Sequence, residues 1–85
     1  MEIAQILQQR ATTHGNYKDV TYFYRQFMKI LSNNSANLTD EQYMALSMIF
    51  GKTARILAGN PDFDDHWKDI AGYATLVANS LESNQ

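Results

Sequence analysis

Residues 52–74 read KTARILAGNPDFDDHWKDIAGYA, and this stretch decides the fold. Lys52 and Arg55 are three residues apart, while Asp65, Asp69 and Tyr73 follow at intervals of four, so each set lines one face of a helix. Between them Gly59-Asn60-Pro61 stops one helix and starts a tight turn. Two helices joined so briefly run antiparallel, as a helical hairpin. Counted outward from the turn, Lys52 and Arg55 come level with Asp69 and Asp65, so the hairpin should set two cations against two carboxylates.

The hairpin needs neighbours, and the chain before it supplies them. Ile3, Ile6, Leu7 and Ala11 mark a short amphipathic helix over 2–12, which Thr12-Thr13-His14-Gly15-Asn16 should break. Asp19 is the expected cap of a second helix over 19–32, with Val20, Phe23, Tyr24, Phe27, Ile30 and Leu31 on its apolar stripe. Asn33 to Asn37 is turn-prone and polar. Thr39 with Gln42 then forms a capping box, which starts the third helix at Asp40 and lets it run to Ala58. Its main stripe is Leu46, Ile49, Phe50, Thr53, Ile56 and Leu57, and Met44 with Met48 form a second, so the helix is either central or set in a subunit interface through that second stripe. Gly51 inside this helix suggests the close approach of a backbone or a ligand. The fourth helix, over 64–81, carries Trp67, Ile70, Ala71, Ala74, Val77, Ala78 and Leu81, which places Trp67 in the core and His66 off the stripe. The expected architecture is therefore all-α: one four-helix domain over 1–85 with helices three and four as its central hairpin.

Composition narrows the function. A chain of 85 residues buries roughly 60–65% of the surface that its unfolded form exposes, so a core shared in a homo-oligomer is a natural remedy for marginal stability. With no cysteine there is no disulfide, thiolate zinc site or cysteine nucleophile. No apolar run reaches membrane-spanning length and the N-terminus lacks the layout of a signal peptide, so a cytoplasmic protein without membrane contact is expected. Seven Lys and Arg against nine Asp and Glu give a net charge of −2, which supplies no basic field for a nucleic-acid backbone.

Three constellations could carry chemistry. Lys52 and Arg55 could hold a phosphate while Asp65 and Asp69 orient them or bind a magnesium ion; the same four residues could equally form an interhelical ion-pair lattice. His14 and Tyr17 could edge a pocket beside the Gly15 turn. His66 sits in the first turn of the fourth helix, where free N–H groups favour an anion. There is no Gly-rich phosphate loop, nucleophile triad or paired-histidine metal motif.

Taken together, His14-Gly15-x-Tyr17-x-Asp19, Lys52-x-x-Arg55-Ile56, Gly59-Asn60-Pro61 and Asp65-His66-Trp67-x-Asp69-Ile70-x-Gly72-Tyr73-Ala74 resemble a family of small phage and prophage proteins. A weaker likeness extends to the nucleotide-modification-associated helical domains of phage, and through them to MazG-like all-α nucleoside-triphosphate pyrophosphohydrolases. The resemblance implies an oligomeric, all-helical protein of the host cytoplasm connected to nucleotides. The acidic helix of MazG-like enzymes, Glu-Glu-x-x-Glu, is replaced here by Lys52 and Arg55, which favours binding over hydrolysis. The leading expectation is thus a non-catalytic binder of a nucleotide or nucleotide-derived signal, possible antagonist of a host defence, using His14, Tyr17, Lys52, Arg55, Asn60, His66 and Tyr73 without a cofactor. One alternative is a magnesium-dependent nucleotide pyrophosphohydrolase with Asp65 and Asp69 as metal ligands. The other is a module that binds a host protein, its charged cluster purely structural.

Overall fold

The computed structural model describes residues 2–83. Four helices follow one another: α1 (Ile3–His14), α2 (Tyr17–Asn33), α3 (Asp40–Ala58) and α4 (Asp64–Ser83). No strand occurs among the described residues, and no helix is long and apolar enough to cross a membrane. The expected start of α3 is realised in full, since the Thr39 hydroxyl accepts from Gln42 N–H at 3.1 Å and the Gln42 side chain accepts from Thr39 N–H at 2.9 Å.

The first two helices differ from expectation at their junction. Thr12 and Thr13 do not break α1, because their hydroxyls donate to the carbonyls of Gln9 (2.7 Å) and Arg10 (3.3 Å) and leave the helix continuous to His14. Only Gly15 and Asn16 separate the two helices, and Asn16 rather than Asp19 caps α2, its side chain accepting from Lys18 N–H at 2.8 Å.

This turn crosses the α3–α4 turn backbone to backbone. Gly15 has φ +85°, and a Cβ built there would lie 2.5 Å from the Ala58 carbonyl carbon. A Cβ on Gly59 would lie 2.5 Å from Gly15 N and 2.6 Å from Thr13 O. The two glycines therefore allow the turns to touch. Asn60 N–H donates to Thr13 O at 3.3 Å, and His66 Nε2 stands 3.3 Å from the same oxygen.

Above the crossing, α3 is the central helix. It packs on α2 along one side and on α4 along the other, and among the described residues no Cα of α2 comes within 8 Å of one in α4. Three helices thus form an open layer rather than a closed bundle. Few side chains are fully covered: among the described residues Val20, Leu31, Ala45, Ala54 and Ile56 make up the buried apolar set. The radius of gyration, 14.8 Å, exceeds the roughly 12 Å expected of a compact chain of this length.

The hairpin of α3 and α4 is present as expected, but α4 docks one residue out of phase with its apolar stripe. His66 is buried, with 1% exposure, and Ile70, Tyr73, Val77 and Ser80 continue its row toward α3. Trp67, expected in the core, is 54% exposed, its indole N–H donating to Pro61 O at 2.7 Å. The imidazole fills the space under the turn crossing, packed edge-on against His14 with centroids 4.7 Å apart and against Phe63 at 5.0 Å. With that position taken, the indole is turned about 100° away.

Candidate functional site

Gly51, Lys52 and Arg55 share one face of α3 at helical spacing, and Tyr17, Thr21 and Tyr24 share a face of α2. Because α2 and α3 are neighbours, these faces enclose an open cleft of about 320 Å³. A second hollow of about 540 Å³ adjoins it at the α1–α2 elbow, lined by Arg10, His14 and Asn16 among others. Tyr17, Val20 and Arg55 line both. The guanidinium of Arg55 therefore serves two recesses at once.

Gly51 forms the floor between Tyr24 and Arg55. A Cβ there would meet Arg55 Nη1 at 3.5 Å and the Tyr24 ring at 3.8 Å, which is ordinary contact. The backbone approach expected at this glycine is absent; its effect is to keep the cleft open.

The electrostatics are one-sided. Lys52 Nζ lies 3.1 Å from Asp69 Oδ2, with the two side chains 22% and 48% exposed. Arg55 has no carboxylate partner among the described residues; one of its N–H groups donates to Gly51 O at 3.1 Å. Its fork stays otherwise available for bidentate recognition of an anion. His14 reports the resulting field: burial holds its imidazole below the ordinary value, and the charges of His66, Arg10, Arg55 and Lys52 push in the same direction.

Of the residues expected at a site, the structure brings Tyr17, Lys52, Arg55 and His14 to these adjoining recesses. Asn60 instead stays in the turn, its side chain accepting from Asp62 N–H at 2.9 Å. His66 is enclosed by the turn crossing. Tyr73 lines a separate apolar groove between α3 and α4, beside Met44, Leu76 and Val77. The expected pairing of two cations with two carboxylates is half realised: Asp69 meets Lys52, whereas Asp65 is exposed and forms no ion pair among the described residues. The row of α4 that faces α3 starts at His66, which carries Asp65 away from Arg55. Among the described residues no group of three or more Asp, Glu or His side chains is placed to share a metal ion. Sequence reading passed over Arg10 and Tyr24 as site residues. Each had a weak signal, Arg10 lying four residues before His14 and Tyr24 seven after Tyr17 on the same helix face.

The family profile described as the domain of unknown function DUF6378 matches residues 2–81, and the chain belongs to that family. No curated protein and no solved structure matches the chain.

Proposed function

We propose that this protein binds a nucleotide or nucleotide-derived anion in the α2–α3 cleft without transforming it. The observation that carries this reading is Arg55: a guanidinium with no acidic partner among the described residues, set between two recesses, flanked by Lys52 and by two tyrosine rings. A phosphate bridging Arg55 and Lys52 would relieve the crowding of positive charge that His14 senses. Tyr17 and Tyr24 offer planar walls to a base. Both recesses fall within the size range of ordinary ligand sites.

The resemblance read in the sequence to small phage and prophage proteins suggests a setting for such binding, in which a phage product sequesters a nucleotide signal in the host cytoplasm. The magnesium-hydrolase alternative is the less favoured, because Asp69 is engaged by Lys52 and, among the described residues, no group of three carboxylates or imidazoles forms around Asp65.

Isothermal titration calorimetry against nucleoside mono-, di- and triphosphates and cyclic dinucleotides tests the proposal. At least one should bind, and Arg55→Ala should abolish the heat while leaving the melting temperature unchanged or raised, since it removes one of several crowded cations. Were Arg55 instead half of a structural ion pair, its loss would cost on the order of 3 kcal/mol. The absence of heat with every compound overturns the binding assignment.

A further inference from the structure

We infer that the uncovered face of the α2–α3–α4 layer is an interface, and that its occupant is a second copy of this chain. Helical geometry locates the face. Around α3, Ala45 and Ile56 point toward α4, Ser47 and Ala54 toward α2, and Gly51 and Arg55 into the cleft; Leu46 and Leu57 fall on the remaining side, about a quarter turn from either neighbour. On antiparallel α4, Trp67, Ala74 and Leu81 lie a quarter turn from the row that begins at His66, on that same side of the layer. Ile30 of α2 completes the strip.

These positions are apolar, and apart from the half-buried Leu46 the monomer leaves them open: Ile30 is 63% exposed, Leu57 60%, Trp67 54% and Leu81 47%. They also belong to the principal hydrophobic stripes of their helices. A chain whose strongest stripes converge on a face without a cover carries half a core.

The size of the deficit is that of a dimer interface. The chain exposes 6321 Å², whereas a compact monomer of this mass exposes about 5100 Å². The surplus of about 1200 Å² is shared between this face and α1, which has no buried residue, and is on the scale of the roughly 800 Å² that each partner contributes to a standard specific interface. None of the named positions carries a charge, so one copy meets another across a two-fold axis without repulsion, as an isologous contact requires. Trp67 is prepared for this role, because its hydrogen bond to Pro61 O fixes the ring before the partner arrives. The cleft lies on the opposite side of the layer and stays accessible in the dimer, so this inference is independent of the proposed ligand.

Sedimentation equilibrium on the full chain at micromolar concentration should give twice 9.7 kDa. Leu57→Asp should reduce the mass to that of a monomer. Leu76→Asp, whose parent residue is 67% exposed on the cleft side of the layer, should remain dimeric. A monomeric wild-type chain overturns the inference, as does dissociation by Leu76→Asp but not by Leu57→Asp. Acrylamide quenching of wild-type Trp67, the chain's one tryptophan, is independent of whether any variant folds. Its fluorescence should be shielded in the assembled protein and become quenchable on dilution; an assembly of any size in which Trp67 stays freely quenchable also overturns the inference.

Discussion

Gly51→Ala separates stability from binding at a single methyl group. The residue lies inside α3, where glycine is about 1 kcal/mol less favourable than alanine. The added Cβ would sit 3.5 Å from Arg55 Nη1 and 3.8 Å from the Tyr24 ring, so it meets neighbours without forcing them apart. The Gly51 carbonyl that accepts from Arg55 is retained. The variant should therefore be stabler by about 1 kcal/mol, which for a domain of this length raises the melting temperature by about 4–8 °C. The same methyl projects into the floor of the cleft. A ligand seated between Tyr24 and Arg55 would meet it as overpacking, at about 1–3 kcal/mol or roughly a 5- to 150-fold loss of affinity. Thermal melts followed by circular dichroism, with calorimetry against whichever nucleotide binds, read the two effects side by side. A lower melting temperature would refute the contact geometry at Gly51. Unchanged affinity would refute the cleft as the seat of the ligand.

Three further perturbations test the frame and the field. Asp69→Asn removes a partly exposed ion pair and should cost at most about 1 kcal/mol, while nucleoside phosphates should bind more tightly because Lys52 is freed; weaker binding would contradict the anion assignment. The imidazole of His14 is held below its ordinary value by burial and by neighbouring charge, so protons favour the unfolded chain: stability is fully present above about pH 6.5 and declines as pH falls below it. Denaturant midpoints that rise on acidification would show the sign to be wrong, and an NMR titration should find the His14 value raised in Arg55→Ala. Gly59→Ala forces a Cβ against Gly15 N and Thr13 O and should lower the melting temperature through a backbone shift worth about 1–3 kcal/mol; an unperturbed melt would mean that the two turns do not touch.

Much of the architecture was legible because its determinants are local. The Thr39–Gln42 capping box sets the start of α3, and Gly59-Asn60-Pro61 sets its end, without reference to anything distant. The α1–α2 junction was misread because Thr12 and Thr13 have two outlets for their hydroxyls, and a bond back to the preceding turn of the helix preserves it. The phase of α4 could not be read locally at all. Periodicity locates an apolar stripe that includes Trp67, Ala74 and Leu81, but says nothing of which neighbour the stripe meets. Here the monomer uses the edge of it that runs from His66, and the rest faces outward. Site residues divide the same way. Lys52 with Arg55 was visible as spacing on one helix, whereas the contribution of Arg10 and Tyr24 arises only when separate helices are brought together.

The same division sorts the sequence motifs themselves. Gly15, Gly59, Asn60 and His66 meet at the turn crossing, where two glycines permit contact and the Thr13 carbonyl is shared by Asn60 N–H and the His66 ring. Tyr17, Lys52 and Arg55 meet at the cleft instead. The first set fixes where the second can be, since Tyr17 opens α2 two residues beyond Gly15 and Arg55 lies four residues before Gly59. Both arms of the cleft therefore leave the crossing within about one helical turn, too short a reach for either to drift independently. Such a frame holds Arg55 beside Tyr17 without an acidic partner among the described residues, a position that a guanidinium free to choose among the nine Asp and Glu of this chain would not occupy.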